Sequence, residues 1–167
     1  PQMCEKRVIN NFFSALFHDL PEAVTRDIIS PVKQATDDLP NIVKKIENEI
    51  VNKELVPLME DFFVNEIIDF TSDEFSNRIK DSDGKVVNVS WEDLNEKYNE
   101  EKYFPIDGRL VRIADHLSAL MEADISIKHG ITSIHLQNGR DGLLNSYDQN
   151  EIINGIDVYS LFNEIVS

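Results

Sequence analysis

Apolar residues recur with the period of an α-helix along most of the chain. Between residues 5 and 17 they fall at positions that share one helix face, so this segment is predicted to be a helix with a buried apolar side. The same spacing recurs in four later segments. The predicted helices are residues 5–17, 37–56, 58–79 with an interruption near Thr71-Ser72, 106–130 and 157–166.

Two segments break the helical pattern. Residues 81–85 combine aspartate, serine and glycine, which is typical of a turn, and the valines that follow predict a short strand or extended arm. Ser90 is predicted to cap a helix that begins directly after it. Residues 133–144 contain two glycines and are predicted to be a loop. We therefore predict one all-α domain over residues 1–167, with a short extended or hairpin insertion near residues 80–90.

The composition is acidic. The chain has 31 aspartates and glutamates against 16 lysines and arginines, which gives a formal net charge of -15. Because affinity for nucleic acid depends on contacts of lysine and arginine with phosphates, a nucleic-acid partner is not expected. A small phosphate ester is compatible with this charge, since a metal ion and a few local bases are enough to hold it.

The cysteine count and the length of the apolar runs indicate which compartment and which kinds of site to expect. Cys4 is the single cysteine, so neither a disulfide framework nor a cysteine-ligated zinc site is expected. No apolar run approaches the roughly 20 residues that a membrane span needs, and no signal-peptide pattern is present. These features predict a cytoplasmic protein that does not contact the membrane.

A dense group of ionisable side chains follows the first predicted helix. The apolar pattern stops at Phe17 and gives way at once to polar residues, with Pro21 placed to end that helix or start the next. A rigid helix that ends in such a group can present polar side chains to a ligand, but an ordinary charged turn has the same composition. The group comprises His18, Asp19, Glu22, Arg26, Asp27 and Lys33.

Asp115 is an acid in the middle of a predicted helix, beside its apolar stripe. A carboxylate in that position loses hydration and needs a partner. The partner is either a cation, for which the sequence offers Arg109, Arg112 and Lys128, or a metal ion shared with the histidine and aspartate that follow the first helix. The residues alone leave both interpretations open.

The motifs around these residues, taken together, resemble those of the HD-domain metal-dependent phosphohydrolases, and most closely their 5'-deoxynucleotidase-like branch. The motifs are His-Asp-x-x-Glu at residues 18–22, Arg-Asp-Ile-x-x-Pro-Val-Lys at residues 26–33 and Ala-Asp-His-Leu-Ser-Ala at residues 114–119. Each is short, but their order and wide separation make the combination specific. The resemblance runs from about Phe12 to Gly130 and implies an HD-type helical bundle, with residues 69–103 inserted relative to smaller members.

The resemblance implies a metal ion held by two histidines and two aspartates. His18 matches the second histidine, Asp19 the aspartate that follows it, and Asp115 the final aspartate. The first histidine is expected on an earlier helix, yet the 17 residues before His18 contain none. The chain is therefore expected to lack an N-terminal helix or helices.

The remaining histidines are poor substitutes for that first ligand. His116 points roughly 100° away from Asp115 around the helix, and His129 lies about 21 Å further along it. His135, in the predicted loop, stays open as a replacement.

The resemblance also implies roles for other residues. Glu22, one helical turn from Asp19, is expected to donate and accept protons, and Asp27 to position the sugar or the water. Arg26 and Lys33 are expected to balance phosphate charge. Nitrogen and carboxylate ligands in an open octahedral shell favour Mn, Fe, Co or Ni over Mg. A homodimer is implied as well.

These features predict a metal-dependent phosphohydrolase that releases phosphate from a (deoxy)nucleoside 5'-monophosphate or a similar small phosphomonoester. The same ligands would also support a phosphodiesterase that acts on a signalling nucleotide. A bundle without the first histidine would instead serve as a degenerate, non-catalytic interaction or regulatory module. A purely structural acidic bundle, with Asp115 in an ion pair, is the last alternative.

Overall fold

The computed structural model describes residues 2–25 and 39–167. Within these ranges helices predominate and the strands are short, which confirms the all-α class. The chain divides into two compact units, one made of Pro1–Ala15 with Phe75–Ser167 and the other of Leu16–Glu74.

The secondary structure of the described residues begins with a helix and ends with one. In chain order the elements are α1 (Glu5–Phe17), α2 (Glu22–Thr25), α3 (Leu39–Ile50), α4 (Asp61–Thr71), β1 (Asn77–Lys80), β2 (Val86–Asn88), α5 (Trp91–Glu96), β3 (Ile106–Asp107), α6 (Gly108–Lys128), α7 (Ile134–Leu144), β4 (Ile152–Ile153), β5 (Ile156–Asp157) and α8 (Val158–Val166). A π-helical turn at Val51–Leu55 and a 3-10 turn at Val56–Leu58 continue α3. None of the described helices combines the length and apolar character that crossing a bilayer requires.

The helix predicted for residues 58–79 is only partly correct. Helix α4 ends at Thr71, and Ser72 has extended backbone, which confirms the predicted interruption. Residues 77–80 form strand β1 rather than helix. This strand is the centre of a three-stranded antiparallel sheet of order β2-β1-β3. Its pairing with β3 joins residues about thirty positions apart, and local periodicity carries no sign of such pairing.

The insertion near residues 80–90 is confirmed as an antiparallel hairpin of β1 and β2. Its turn is closed by one side chain, because the Asp81 Oδ1 accepts hydrogen bonds from the backbone N–H groups of Asp83 and Lys85, each at 2.9 Å. Aspartate side chains commonly close turns in this way.

The core of the first unit lies among α6, α7, α8 and the β4–β5 hairpin. The prediction of a loop at residues 133–144 is wrong, because residues 134–144 form α7. Leu143 and Leu144 pack against the core, and the Arg140 Nε donates to Asp124 Oδ1 on α6 at 2.8 Å. These contacts offset the cost of two glycines inside a helix. The buried core residues are Ile113, Leu120, Ile153, Val158 and Phe162.

The β4–β5 hairpin was not predicted. Asn154 and Gly155 form its two-residue turn, with φ angles of 48° and 83°. Asparagine followed by glycine is the favoured sequence for such a turn, because both residues tolerate positive φ. The hairpin places Asn154 against β1, where its side chain exchanges two hydrogen bonds with Asn77.

Helix α1 buries its polar side, which contradicts the predicted burial of its apolar face. Arg7, Asn10 and Ser14 are fully buried. They recur every three to four residues, so they form a stripe along one side of the helix. The pairing of Arg7 with Asp107 explains why this side faces inward. The apolar side chains left exposed are Val8 (53%), Ile9 (39%), Phe12 (63%) and Leu16 (59%).

Candidate metal centre

A buried ion pair joins the first turns of α1 to the start of α6. The Arg7 Nη2 and Nε donate to the two carboxylate oxygens of Asp107 at 2.6 and 2.7 Å. The Asn11 Nδ2 donates to the same carboxylate at 2.7 Å, and its Oδ1 accepts from the Asp107 backbone N–H at 2.8 Å. Bidentate charged hydrogen bonds of this kind fix geometry strongly. The helix that leads to His18 is therefore rigidly held at its beginning.

His18 and Asp19 lie in the turn that follows α1. The helix ends at Phe17, and the Leu20 backbone N–H donates to the Phe17 carbonyl at 2.9 Å. The His18 side chain is 13% exposed and the Asp19 side chain 63%. His18 Nε2 and Asp19 Oδ2 are 3.1 Å apart. This turn thus presents an imidazole nitrogen and a carboxylate oxygen side by side.

Glu22 opens the short helix α2 directly after this turn. Its backbone N–H donates to the Asp19 carbonyl at 2.9 Å, which closes the turn between the two residues. The Glu22 side chain is half-buried. The other predicted residues of this region, Arg26, Asp27 and Lys33, lie outside the residues that the structure describes.

Asp115 is half-buried in the middle of α6. Two of the three cations considered as its ion-pair partners contact other side chains, and the third forms no ion pair with any residue that the structure describes. The Lys128 Nζ lies 2.9 Å from Asp124 Oδ2, and the Arg112 guanidinium stacks on the ring of Phe75, 4.8 Å from its centroid. Arg109, within the described part of the chain, forms no ion pair. The interpretation of Asp115 as one half of a structural ion pair with these cations is thus not supported.

One group of His, Asp and Glu side chains among the described residues has the spacing to hold a metal ion: His18, Asp19 and Asp115. One ligand atom from each lies within 4.8 Å of the other two. The group offers one imidazole nitrogen and two carboxylate oxygens. That mixture fits a divalent transition metal such as Mn, Fe, Co or Ni better than Mg, which prefers oxygen and water ligands.

The three other histidines lie outside this group. His116 Nδ1 is 2.8 Å from the hydroxyl of Tyr147, and His129 Nδ1 is 2.8 Å from the carbonyl oxygen of Ile125. His135 is exposed on α7. None of them replaces the first histidine that the resemblance requires.

The environment of His116 favours its neutral form. Burial lowers the pKa of His116, and the positive charge of Arg112 lowers it further, while Asp115 acts in the opposite direction. Burial is also the main cause that raises the pKa of Tyr147. Both pKa shifts favour the uncharged side chains, which suits a hydrogen bond between a hydroxyl and an imidazole nitrogen.

The comparisons with known proteins gave one family. Residues 1–143 match the HD domain family, a range that includes every residue of the predicted site. Neither a curated protein nor a solved structure matched the chain. HD domains are metal-dependent, and their superfamily consists in general of hydrolases. Because the match covers most of its 167 residues, the chain belongs to the HD domain family.

Proposed function

We propose that this protein is a metal-dependent phosphohydrolase of the 5'-deoxynucleotidase-like kind, which releases phosphate from a (deoxy)nucleoside 5'-monophosphate. The HD domain match over residues 1–143 is the observation that carries the phosphohydrolase part of the proposal, and the nucleotide substrate rests on the motif resemblance. The grouping of His18, Asp19 and Asp115 agrees with it, because these are the ligand types that the chemistry needs.

In this proposal His18, Asp19 and Asp115 hold one divalent ion. The two carboxylates carry a formal charge that equals and opposes that of the ion, so the centre is neutral before substrate binds. The half-buried His18 contributes a neutral nitrogen ligand, and the more exposed Asp19 leaves one side of the group open to solvent. When bound, a divalent ion polarises a phosphoryl oxygen and lowers the pKa of a water molecule.

Glu22 is the residue that we assign to proton transfer. Its backbone hydrogen bond to Asp19 keeps it one turn from that ligand. A carboxylate at this position can accept a proton from the attacking water and then donate one to the leaving oxygen. We assign Asp27 to positioning the sugar or water, and Arg26 and Lys33 to binding the phosphate.

The test is release of inorganic phosphate from a panel of nucleoside and deoxynucleoside 5'-monophosphates, with Mn²⁺ or Co²⁺ added. We expect turnover of at least one of them, and loss of turnover when EDTA removes the metal. Asp115→Asn should lower kcat/KM by on the order of 100-fold or more, since even outer-shell changes cost 10–100-fold.

Asp83→Asn is the matched control, because Asp83 is an exposed acid in the β1–β2 turn and belongs to no predicted site. It should leave kcat/KM unchanged. The proposal is wrong if no nucleotide releases phosphate with any of these metals, or if Asp115→Asn and Asp83→Asn behave alike.

A further inference from the structure

A cavity of about 740 Å³ lies in the first unit, between the sheet, the N-terminal half of α6 and the β4–β5 hairpin. Cavities of this size bind small organic molecules. None of the residues assigned to the hydrolytic site lines it. The groups that line it combine positive charge, aromatic rings and amide side chains.

Two arginines give the cavity its charge. Arg109 and Arg112 lie in the first turns of α6 and line the cavity. Within residues 2–25 and 39–167, neither guanidinium forms an ion pair with a carboxylate, whereas Arg7 and Arg140 each do. Glu92 is the acid on the lining, so the cavity has a formal charge of +1 in a chain of -15. Arginines without a carboxylate partner favour binding of an oxyanion.

Aromatic rings line the same cavity. Phe75 stacks against the Arg112 guanidinium, which holds that cation in place and leaves its N–H edge available. The indole of Trp91 packs against Gly155, where an added Cβ would lie 3.0 Å from the ring. Tyr147 is oriented by its hydrogen bond to His116. Rings beside guanidinium groups suit a ligand that has both a planar ring and an anionic group.

The floor of the cavity is rigid. Asn77 and Asn154 donate to each other at 3.0 and 2.9 Å. Asn77 Oδ1 also accepts the Arg109 backbone N–H at 3.2 Å, and Asn154 Nδ2 lies 3.3 Å from the buried Asp107. These bonds connect the floor to the Arg7–Asp107 pair, so the site is formed before a ligand arrives, which lowers the entropic cost of binding.

We propose that this cavity is a binding site for a small planar aromatic molecule that carries a phosphate group, with the phosphate on Arg109 and Arg112 and the ring beside Trp91 and Phe75. The inference goes beyond the proposed function, because it concerns binding alone and uses none of the catalytic or metal-binding residues. It holds or fails independently of whether the protein hydrolyses anything.

Trp91 provides the test. It is the one tryptophan in the sequence, so intrinsic fluorescence excited at the indole band reports on this cavity. Adenosine 5'-monophosphate is titrated into the full chain in the presence of EDTA, which removes metal-dependent binding and turnover. We expect a saturable change in Trp91 fluorescence. Adenosine and ribose 5-phosphate, which each lack one of the two recognised groups, should bind at least about tenfold more weakly.

Arg112→Gln and Arg109→Gln should each weaken adenosine 5'-monophosphate binding by about tenfold or more, because each removes a charged hydrogen-bond donor. Lys85→Gln, which removes an exposed cation from the β1–β2 turn, is the control and should bind as the unaltered protein does. Circular dichroism verifies that each variant is folded. A fluorescence change that does not saturate, or equal affinity in all three variants, would overturn the proposal.

Discussion

Arg7 and Asp107 are both fully buried and bind each other through two short hydrogen bonds. Removal of one partner from such a pair leaves a charge without compensation in the interior. We expect Arg7→Met to lower the free energy of unfolding by about 3–5 kcal/mol. Urea denaturation followed by circular dichroism measures this change.

Lys97→Met serves as the comparison for that experiment. Lys97 lies 2.7 Å from Asp93, but the Lys97 side chain is 61% exposed to solvent and that of Asp93 36%. Exposed ion pairs contribute little, so the urea midpoint should hardly move. Equal effects of Arg7→Met and Lys97→Met would mean that the buried pair is not what holds α1.

Asp124 makes stability depend on pH. Its hydrogen bonds with Lys128 and then Arg140 hold the pKa of its carboxyl below the usual value of 3.8. A depressed pKa in the folded state stabilises the protein above the unfolded value, and this contribution disappears as pH falls through the folded pKa. Asp124→Asn should therefore lower Tm at pH 7, and the difference from the unaltered protein should shrink below about pH 4. A difference in Tm that stays constant from pH 7 to pH 3 would contradict this assignment.

At the scale of elements, two glycines in helices have opposite roles. A Cβ on Gly108, at the start of α6, would overlap the backbone of Ser76, whereas a Cβ on Gly139, inside α7, would meet nothing within 4 Å. Gly139→Ala should therefore raise the free energy of unfolding by about 0.5–1 kcal/mol, as it does in a regular helix. Gly108→Ala should lower it, because β1 and α6 would have to separate.

Thermal denaturation of the two variants measures both effects. The pair of substitutions also tests the correction to the sequence interpretation, since alanine would destabilise a loop in which Gly139 adopted a positive φ. A Gly139→Ala variant that is less stable than the unaltered protein would indicate that residues 134–144 are not a helix in solution.

The sequence predicted elements whose signals are local and missed those that depend on distant partners. The Ser90 cap, whose Oγ accepts from the Asp93 backbone N–H at 3.1 Å, and the end of α4 near Thr71 were both visible in composition and spacing. Strand β1 was not, since it lies between β2 and a second partner, β3, which follows about thirty residues later. The Asn154-Gly155 pair, which stands between isoleucines, was a local hairpin signal that the sequence interpretation did not use.

The orientation of α1 was predicted wrongly because an apolar stripe was taken as the buried one. Arg7, Asn10 and Ser14 form an equally regular polar stripe on the same helix. Its burial depends on Asp107, a hundred residues away, which no local pattern indicates. The proposed metal ligands were identified by their motifs rather than by burial or periodicity, whereas the cavity beside Arg112 has no sequence motif and became visible only from the fold.

The whole molecule is an acidic chain for which we propose a single bound cation. The formal charge of -15 disfavours polyanionic partners and favours a divalent metal ion wherever two carboxylates and a histidine converge. The HD domain match covers residues 1–143, a range that contains His18, Asp19 and Asp115, and these three side chains have the spacing to hold a metal ion. The central claim is therefore that these three side chains bind one metal ion.

Titration with Mn²⁺, with free Mn²⁺ measured by electron paramagnetic resonance, tests that claim most directly because it requires no substrate. We expect one bound Mn²⁺ per chain in the unaltered protein and in Asp83→Asn, and affinity at least about tenfold weaker in Asp115→Asn. Equal Mn²⁺ affinity in the three proteins would contradict it, since the ion would then be held by general acidity and not by this group.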